Sequence, residues 1–177
     1  LAHIYQSKYA VSSVVRRIPL LREQGNALLT NQDIKAQAFH YFQSGVKRLV
    51  MELEFEEFVI FLVHLSIKFR HRQYQLRDLH SMFREVQKPM IVAGDFNAFW
   101  GDRELDLFMA ASGLINANVS GLPTFPSYSP RRQFDFVLYS PSLRMTHFEI
   151  PAVRFSDHMP LVCDFELPAA VAEKRTA

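Results

Sequence analysis

The sequence predicts an α/β or α+β fold in which helices cover a core built from β-sheet. Segments with the pattern of strands outnumber segments with the pattern of helices. The two helical segments fall between strands along the chain. Helices arranged in this way pack on the face of a sheet. The 177 residues are enough for one domain with a sizeable apolar core.

Three strands are predicted in the first part of the chain. Residues 25–30 read as a short strand. In residues 46–55, large apolar side chains alternate with Glu52 and Glu54, which predicts a strand buried on one side. Residues 58–66 are apolar almost throughout and predict a central strand. The short polar turn between the last two strands predicts a hairpin.

Two helices with a strand between them are predicted next. Residues 70–88 carry apolar side chains at helical spacing, and Pro89 closes the segment. Residues 90–93 have the pattern of a strand. Residues 102–111 predict a second helix, which Gly113 ends.

The rest of the chain is predicted to return to strands after a long loop. Residues 121–130 contain one glycine and three prolines and predict that loop. Strands are predicted at residues 133–139, 144–150 and 160–167. Residues 169–177 are predicted to form a flexible C-terminal tail.

The composition is that of an ordinary soluble domain. The formal net charge is +2, so the charge neither demands nor excludes a nucleic-acid partner. The single cysteine, Cys163, rules out a disulfide within the chain and fits a reducing compartment such as the cytoplasm. It lies in an apolar strand pattern and is predicted to be a core residue. No apolar run is long enough for a transmembrane helix.

Four short segments place polar residues beside apolar strands, and these are the candidates for a functional site. They are residues 63–66, 93–97, 133–137 and 156–161. Burying such groups without partners costs roughly 2–7 kcal/mol each. They are therefore expected to bond to one another, to lie at strand ends, or to hold a metal. Ligand sites gather at strand ends in α/β proteins.

Each of these residues also has a structural interpretation when it is taken alone. His64 reads as a core histidine, and Asp95 as a turn residue after glycine. Asn97 suits a left-handed backbone conformation, and Asp157 suits a turn before proline. Asp135 is harder to explain structurally because a central strand rarely accepts a lone aspartate. The four segments together favour a functional site.

These segments resemble the motifs of the endonuclease/exonuclease/phosphatase superfamily. That superfamily includes DNase-I-like nucleases, abasic-site endonucleases, sphingomyelinases and inositol polyphosphate phosphatases. The sequences Gly-Asp-Phe-Asn at 94–97, Phe-Asp-Phe-Val-Leu at 134–138 and Ser-Asp-His-Met-Pro-Leu at 156–161 carry the resemblance. It extends from about residue 25 to residue 167. The resemblance implies a DNase-I-like two-sheet β-sandwich flanked by helices in four layers.

The resemblance also implies a role for each motif residue. His158 would be the general base, and Asp135 would orient its ring. Asp95 and Asn97 would position the attacking water and the phosphate. Asp157 would bind a metal, with Asp95 and Asn97 close to it. The implied metal is Mg²⁺ or Mn²⁺, which prefer oxygen ligands of this kind.

Further residues receive weaker assignments. His64 matches a histidine that assists the leaving group in DNase-I-like members, and Glu23 is a candidate partner for it.

Two further pairs of residues flank the motifs. Arg131 and Arg132, in the loop before Asp135, are candidates for phosphate contact, with a solvated turn as the equal alternative. Phe99 and Trp100, shortly after the Gly-Asp-Phe-Asn motif, either stack on a substrate group or pack in the core or at its rim.

The N-terminal part departs from the family pattern. Family domains begin with a strand that carries an asparagine and continue to a strand that ends in Gln-Glu, whose glutamate binds the metal. Neither is recognisable before Gly25. We therefore expect residues 1–168 to be an N-terminally incomplete domain that lacks two strands of one sheet. We also expect weak metal binding and an exposed sheet edge.

The function predicted from these motifs is divalent-metal-dependent hydrolysis of phosphodiester bonds. A nuclease that acts on DNA or RNA is the leading interpretation. A phosphoesterase for phospholipids or inositol phosphates is an alternative, because the site chemistry is shared. A non-catalytic binding or interaction module of the same fold is another, because the expected glutamate ligand is missing.

Overall fold

The computed structural model describes residues 9–15, 24–45, 49–100 and 102–168. The predicted flexible tail at 169–177 lies outside these ranges. Ten strands and two helices follow one another along the described chain. They are β1 (Tyr9–Val15), β2 (Gln24–Thr30), β3 (Ala36–Tyr41), β4 (Leu49–Glu54), β5 (Val59–His64), α1 (Phe69–Phe83), β6 (Met90–Asp95), α2 (Asp102–Ser112), β7 (Ile115–Asn116), β8 (Asp135–Tyr139), β9 (Arg144–Glu149) and β10 (Val162–Glu166).

Six of the strands form one mixed sheet, in the order β3-β4-β5-β6-β8-β7. The central pair, β5 and β6, is parallel because α1 carries the chain back between them. The other neighbouring strands are antiparallel. Since β8 runs against β6, its first residue lies beside the last residue of β6. One edge of the sheet therefore collects the ends of β5 and β6 and the beginning of β8.

The two helices cover one face of this sheet. Apolar side chains that alternate along β5, β6 and β8 point to the helices and form the largest core cluster. Helix α1 contributes a buried stripe at helical spacing that includes Leu76, Leu79 and Phe83. Helix α2 adds Leu105 and Phe108. This packing fixes the sheet that positions the polar strand ends.

Two two-stranded ladders, β1–β2 and β9–β10, cover the other face. Leu28 of β2 packs against Met51 and Leu53 of the large sheet. Phe148 of β9 and Phe165 of β10 pack at the opposite end of the face, in the cluster around Tyr139. These ladders form the second layer of the predicted two-sheet sandwich, so the fold class is confirmed.

A groove of about 370 Å³ adjoins the first ladder on this face. Three residues of β2 form one wall, and the C-terminal parts of β5 and β6 form the rest. Asn26 reaches across and donates hydrogen bonds from Nδ2 to the carbonyl oxygens of Leu49 and Leu62. The groove leads towards His64 and Asp95 at the sheet edge.

Most predicted elements are present, and some are corrected. The helix predicted at 70–88 ends at Phe83, because the chain then makes two tight turns, at Glu85 and Val86, before it enters β6. Val86 still packs on the core, which explains its apolar character. In β4 the predicted alternation is present, with Met51 and Leu53 buried and the two glutamates partly exposed. Val50 is buried in addition, on the helix side, which the pattern did not indicate.

The sequence patterns missed three strands: β1, β3 and β7. Strand β3 lies at the edge of the large sheet and is exposed along much of its length, so it carries little alternation. Strand β7 has two residues, too few for a periodic pattern. Within the described ranges, neither helix has the length and apolar character needed to cross a membrane.

Candidate active site

Three predicted site residues lie side by side at the edge of the large sheet. His64 ends β5 and is paired in register with Asp95, which ends β6. Asp95 is paired in turn with Asp135, the first residue of β8. Residues paired across neighbouring strands point to the same face. These three side chains therefore share one face of the edge, on the side opposite the helices.

Gly94 permits the close approach of β5 and β6 just before this edge. Its φ is +144°, a conformation that residues with a side chain rarely adopt. A Cβ atom at this position would lie 1.9 Å from the carbonyl oxygen of Val63. The glycine is therefore required here by both backbone conformation and space.

Asn97 holds Asp95 in a compact loop after β6. Its backbone is left-handed, with φ of 50°, as its residue type suggested. Its backbone N–H donates to Oδ1 of Asp95 at 2.8 Å, and its Nδ2 donates to Oδ2 at 3.0 Å. Nδ2 also donates to the carbonyl oxygen of Leu65 at 3.0 Å. Nε2 of His64 lies 3.4 Å from Oδ2 of Asp95, so these three residues form one connected group.

His158 and Asp135 form a short contact between predicted catalytic residues. Nδ1 of the half-buried His158 lies 2.7 Å from Oδ2 of Asp135. The hydrogen bond to Asp135 raises the pKa of His158, and the negative charges of Asp135, Asp95 and Asp157 add to it, while burial opposes the shift. The ring of Phe125 packs on the imidazole, with centroids 4.8 Å apart. The imidazole is thus fixed among carboxylates at the sheet edge.

The loop before β8 holds the segment that carries His158. The backbone N–H groups of Ser127 and Met159 donate to the carbonyl oxygens of Asp157 and Thr124, at 2.7 and 2.8 Å. The hydroxyl of Ser127 donates to the carbonyl oxygen of Ser156. The carboxylate of Asp157 faces solvent and accepts a hydrogen bond from Oγ of Ser156 at 3.0 Å. Asp157 is therefore oriented by its neighbour but open to a ligand.

The remaining predicted residues lie around this group or outside the described chain. Arg131 and Arg132 are exposed on the loop before β8. Phe99 and Trp100 are also exposed, at 39% and 64%, so they belong to the rim and not to the core. Glu23, the candidate partner of His64, lies outside the described residues.

The described side chains do not complete a metal site. Among them, no three histidine, cysteine, aspartate or glutamate side chains are grouped as they would be around a metal ion. Asp95 and Asp157 supply oxygen donors of the kind that Mg²⁺ and Mn²⁺ prefer. Their number falls short of what such an ion needs from a protein and its substrate.

Two contacts near the site were not predicted from the sequence. Arg72 of α1 is fully buried and pairs through Nε with Glu104 of α2. It lies four residues before Leu76 on the buried stripe, and a charge at such a position is a signal that helical periodicity could have revealed. Oγ1 of Thr124 accepts hydrogen bonds from the backbone N–H groups of Phe134 and Asp135. No local pattern predicts that contact.

The sheet sandwich with outer helices, together with a histidine–aspartate pair at the sheet edge, defines the class of DNase-I-like folds. The family model described as Endonuclease/Exonuclease/phosphatase family matches residues 7–158, and the chain belongs to this family. Members of the family are in general hydrolytic phosphoesterases. No curated protein matches the chain by sequence.

Solved structures share the fold. A family protein from Bacteroides thetaiotaomicron is 17% identical, with a TM-score of 0.69 over 81% of this chain and 69% of that one. The human Nocturnin catalytic domain is 23% identical, with a TM-score of 0.67 over 89% of this chain and 72% of that one. TDP2 from D. rerio, complexed with a single-strand DNA product, is 17% identical, with a TM-score of 0.63 over 82% and 73%. At these identities the likeness concerns the fold.

Proposed function

We propose that this protein is a divalent-metal-dependent phosphoesterase that hydrolyses phosphodiester bonds, acting as a nuclease. The observation that carries the proposal is the 2.7 Å contact between Nδ1 of His158 and Oδ2 of Asp135. It lies at the sheet edge where Asp95 and His64 also end their strands. A base, an orienting carboxylate and further polar groups thus border one surface.

His158 is the proposed general base. When Nδ1 carries the proton and donates it to Asp135, Nε2 carries the lone pair and can take a proton from a water molecule. That water attacks the phosphorus. The carboxylate of Asp135 then stabilises the imidazolium that forms, which agrees with the raised pKa of His158.

Asp95, Asn97 and His64 have supporting roles in the proposal. Asn97 fixes both oxygens of Asp95 by hydrogen bonds, so this carboxylate is positioned before substrate binds. Nε2 of His64 lies 3.4 Å from Oδ2 of this carboxylate. In its charged form His64 donates a proton to the leaving oxygen.

A divalent cation would neutralise charge on the phosphoryl oxygens. The donors proposed to hold it are the carboxylates of Asp95 and Asp157, with the amide oxygen of Asn97 nearby in the chain. Because the described residues supply too few ligands, we assign no reaction step to the metal. This shortage favours a second candidate function, a non-catalytic binding module of the same fold.

The nuclease assignment rests on the family and on two exposed arginines. Arg131 and Arg132 precede Asp135 in a loop whose other end contacts the His158 segment. Guanidinium groups suit phosphate contacts. The TDP2 structure of the same fold contains a single-strand DNA product.

A substrate panel with Mn²⁺ tests the proposal. Single-stranded DNA, RNA, abasic DNA, sphingomyelin and an inositol polyphosphate are each incubated with the chain, with and without a chelator. We expect hydrolysis of DNA or RNA that the chelator abolishes. Hydrolysis confined to sphingomyelin or the inositol phosphate would contradict the nuclease assignment. Binding of nucleic acid without hydrolysis of any substrate would support the non-catalytic module.

A further inference from the structure

An aromatic cleft of about 410 Å³ opens on the surface beside the candidate active site. This volume is within the range of small-ligand sites. The loop after β5, the first two turns of α1, the loop after β6 and the loop before β8 all contribute to it. Its lining residues are Ile67, Phe69, Arg72, Phe99, Trp100 and Arg132.

The rings of the cleft are held in place and yet remain accessible. Phe69 and Trp100 meet edge to face, with centroids 5.4 Å apart. They are 49% and 64% exposed, high values for large apolar side chains that stand together. Below them, the buried guanidinium of Arg72 lies 5.8 Å from the ring of Phe69 and 5.9 Å from that of Phe99. The rings thus form a prepared surface rather than a loose patch.

The ion pair beneath the cleft explains why these rings keep their position. Arg72 bonds Glu104 through Nε and the carbonyl oxygens of Ser66 and Ile67 through Nη1. Its Nη2 is buried without a hydrogen-bond partner among the described residues. Oε2 of Glu104, the second oxygen of the paired carboxylate, is likewise buried without such a partner. Both atoms belong to one buried ion pair, which fixes the floor of the cleft.

The cleft adjoins the proposed reaction centre through a chain of rings. Phe99 packs on Phe134, with centroids 5.0 Å apart, and Phe134 directly precedes Asp135. The ring of Phe134 lies 6.4 Å from that of His158. A group seated in the cleft would therefore be next to a phosphate bound at His158 and Asp135.

Two guanidinium groups, those of Arg72 and Arg132, line the cleft. The guanidinium of Arg132 stands over the ring of Phe99 at 5.2 Å, which leaves a flat cationic surface at the entrance. Lys68, Arg70 and Arg131 adjoin cleft residues in the sequence and are exposed. Planar rings with arginine and lysine at the rim are the combination that binds single-stranded nucleic acid, since bases stack on the rings and phosphates meet the cations.

We propose that this cleft binds a nucleobase of a single-stranded nucleic acid next to the phosphate to be cleaved. The inference rests on the proposed function for the position of that phosphate. Ring stacking on Trp100 and Phe99, with Arg132 over the rim, supplies the affinity for the base. An acyl chain would gain from the apolar surface but would have no use for the guanidinium groups that line it.

Fluorescence of Trp100, the only tryptophan in the chain, tests the inference directly. The metal-free protein is titrated with a thymidine octamer and with an abasic octamer of the same charge. We expect the thymidine octamer to quench Trp100 and to bind about tenfold more tightly than the abasic one, as stacking of one base predicts. Dihexanoyl phosphatidylcholine is the apolar comparison.

Variants identify the surface by the anisotropy of labelled octamers. We expect Trp100→Ala and Phe99→Leu to lower the ratio of the two affinities from about ten to about one. Tyr41→Ala removes an exposed ring at the far edge of the large sheet and should leave the ratio unchanged. Circular dichroism checks that each variant is folded.

The outcomes separate this inference from the proposed function. Equal affinity for the two octamers, or quenching by the phospholipid alone, would overturn the inference, whatever the substrate panel shows. Preference for the thymidine octamer that Trp100→Ala abolishes would support it, and would do so even if the panel found no hydrolysis. In that last case only the catalytic proposal would fail.

Discussion

The imidazole of His158 and the carboxylate of Asp135 determine the behaviour of the site at the scale of single residues. Their hydrogen bond raises the pKa of His158, and nearby carboxylates strengthen the effect. Because the folded pKa lies above the unfolded one, the pair stabilises the folded chain fully below the unfolded value. That contribution is lost as the pH rises through the folded pKa.

NMR titration of the His158 ring in the presence of a chelator measures this effect. We expect a midpoint above the ordinary histidine value of about 6.5. Asp135→Asn should lower the midpoint, because it removes the charge and the acceptor that favour the imidazolium. Asp78→Asn, which changes a carboxylate on α1, should leave it unchanged. A midpoint in Asp135→Asn equal to that of the unaltered chain would contradict the assigned contact.

The pair of Arg72 and Glu104 predicts a second residue-scale effect. Both side chains are buried, at 0% and 1% exposure. Removing one member leaves an unpaired buried charge, so we expect Arg72→Met to destabilise the fold by about 3–5 kcal/mol in urea unfolding. The double variant Arg72→Met with Glu104→Leu should recover most of that loss. A loss below about 1 kcal/mol in the single variant would show that water reaches the pair.

The sequence predicted the site residues that belong to recognisable motifs. It did not predict the residues that reach the site only through packing of distant elements. Asp95, Asn97, Asp135 and His158 stand in short segments with recognisable order. Arg72 stands in an ordinary helix, and its contact with Glu104 spans 32 positions. Long-range pairs of this kind leave no local pattern.

At the scale of elements, the sequence predicted the strands that are rich in apolar residues. Strands β5, β6 and β8 are largely apolar and pack on the helices, so their patterns were clear. Strand β3 is an edge strand, and its exposed positions carry no such pattern. The end of α1 was misplaced because Val86 packs on the core from a turn.

The two small ladders should open more easily than the large sheet. In the part of the chain that the structure describes, β2 is paired as a strand with β1 alone and β10 with β9 alone. Hydrogen exchange should therefore be at least roughly tenfold faster for amides of β2 and β10 than for those of β5 and β6. The amides of β5 serve as the internal reference. Equal protection in the four strands would show that further chain covers these edges.

At the scale of the whole molecule, the sequence predicted the fold more securely than it predicted whether the domain is complete. The order of motifs and strands predicted the sandwich, which the family match and the structural neighbours confirm. The expected absence of two N-terminal strands stays a prediction. It rests on two family motifs that are not recognisable in the sequence before Gly25.

The affinity for metal ions tests the expectation that the N-terminal part of the domain is incomplete. Because the described residues offer Asp95 and Asp157 without a third acidic, histidine or cysteine ligand, we expect Mg²⁺ and Mn²⁺ to bind weakly, without saturation, in isothermal titration calorimetry. Asp157→Asn should weaken the binding further. Tight stoichiometric binding would show that a ligand outside the described residues completes the site.

The most direct test of the whole account is the rate of bis-p-nitrophenyl phosphate hydrolysis with Mn²⁺, in the unaltered chain and in His158→Ala. Loss of a general base should lower the rate by about 10²–10⁴-fold. His147→Ala, at an exposed position of β9, should retain the full rate. Hydrolysis that persists undiminished in His158→Ala, or that is absent from the unaltered chain, would contradict the central claim.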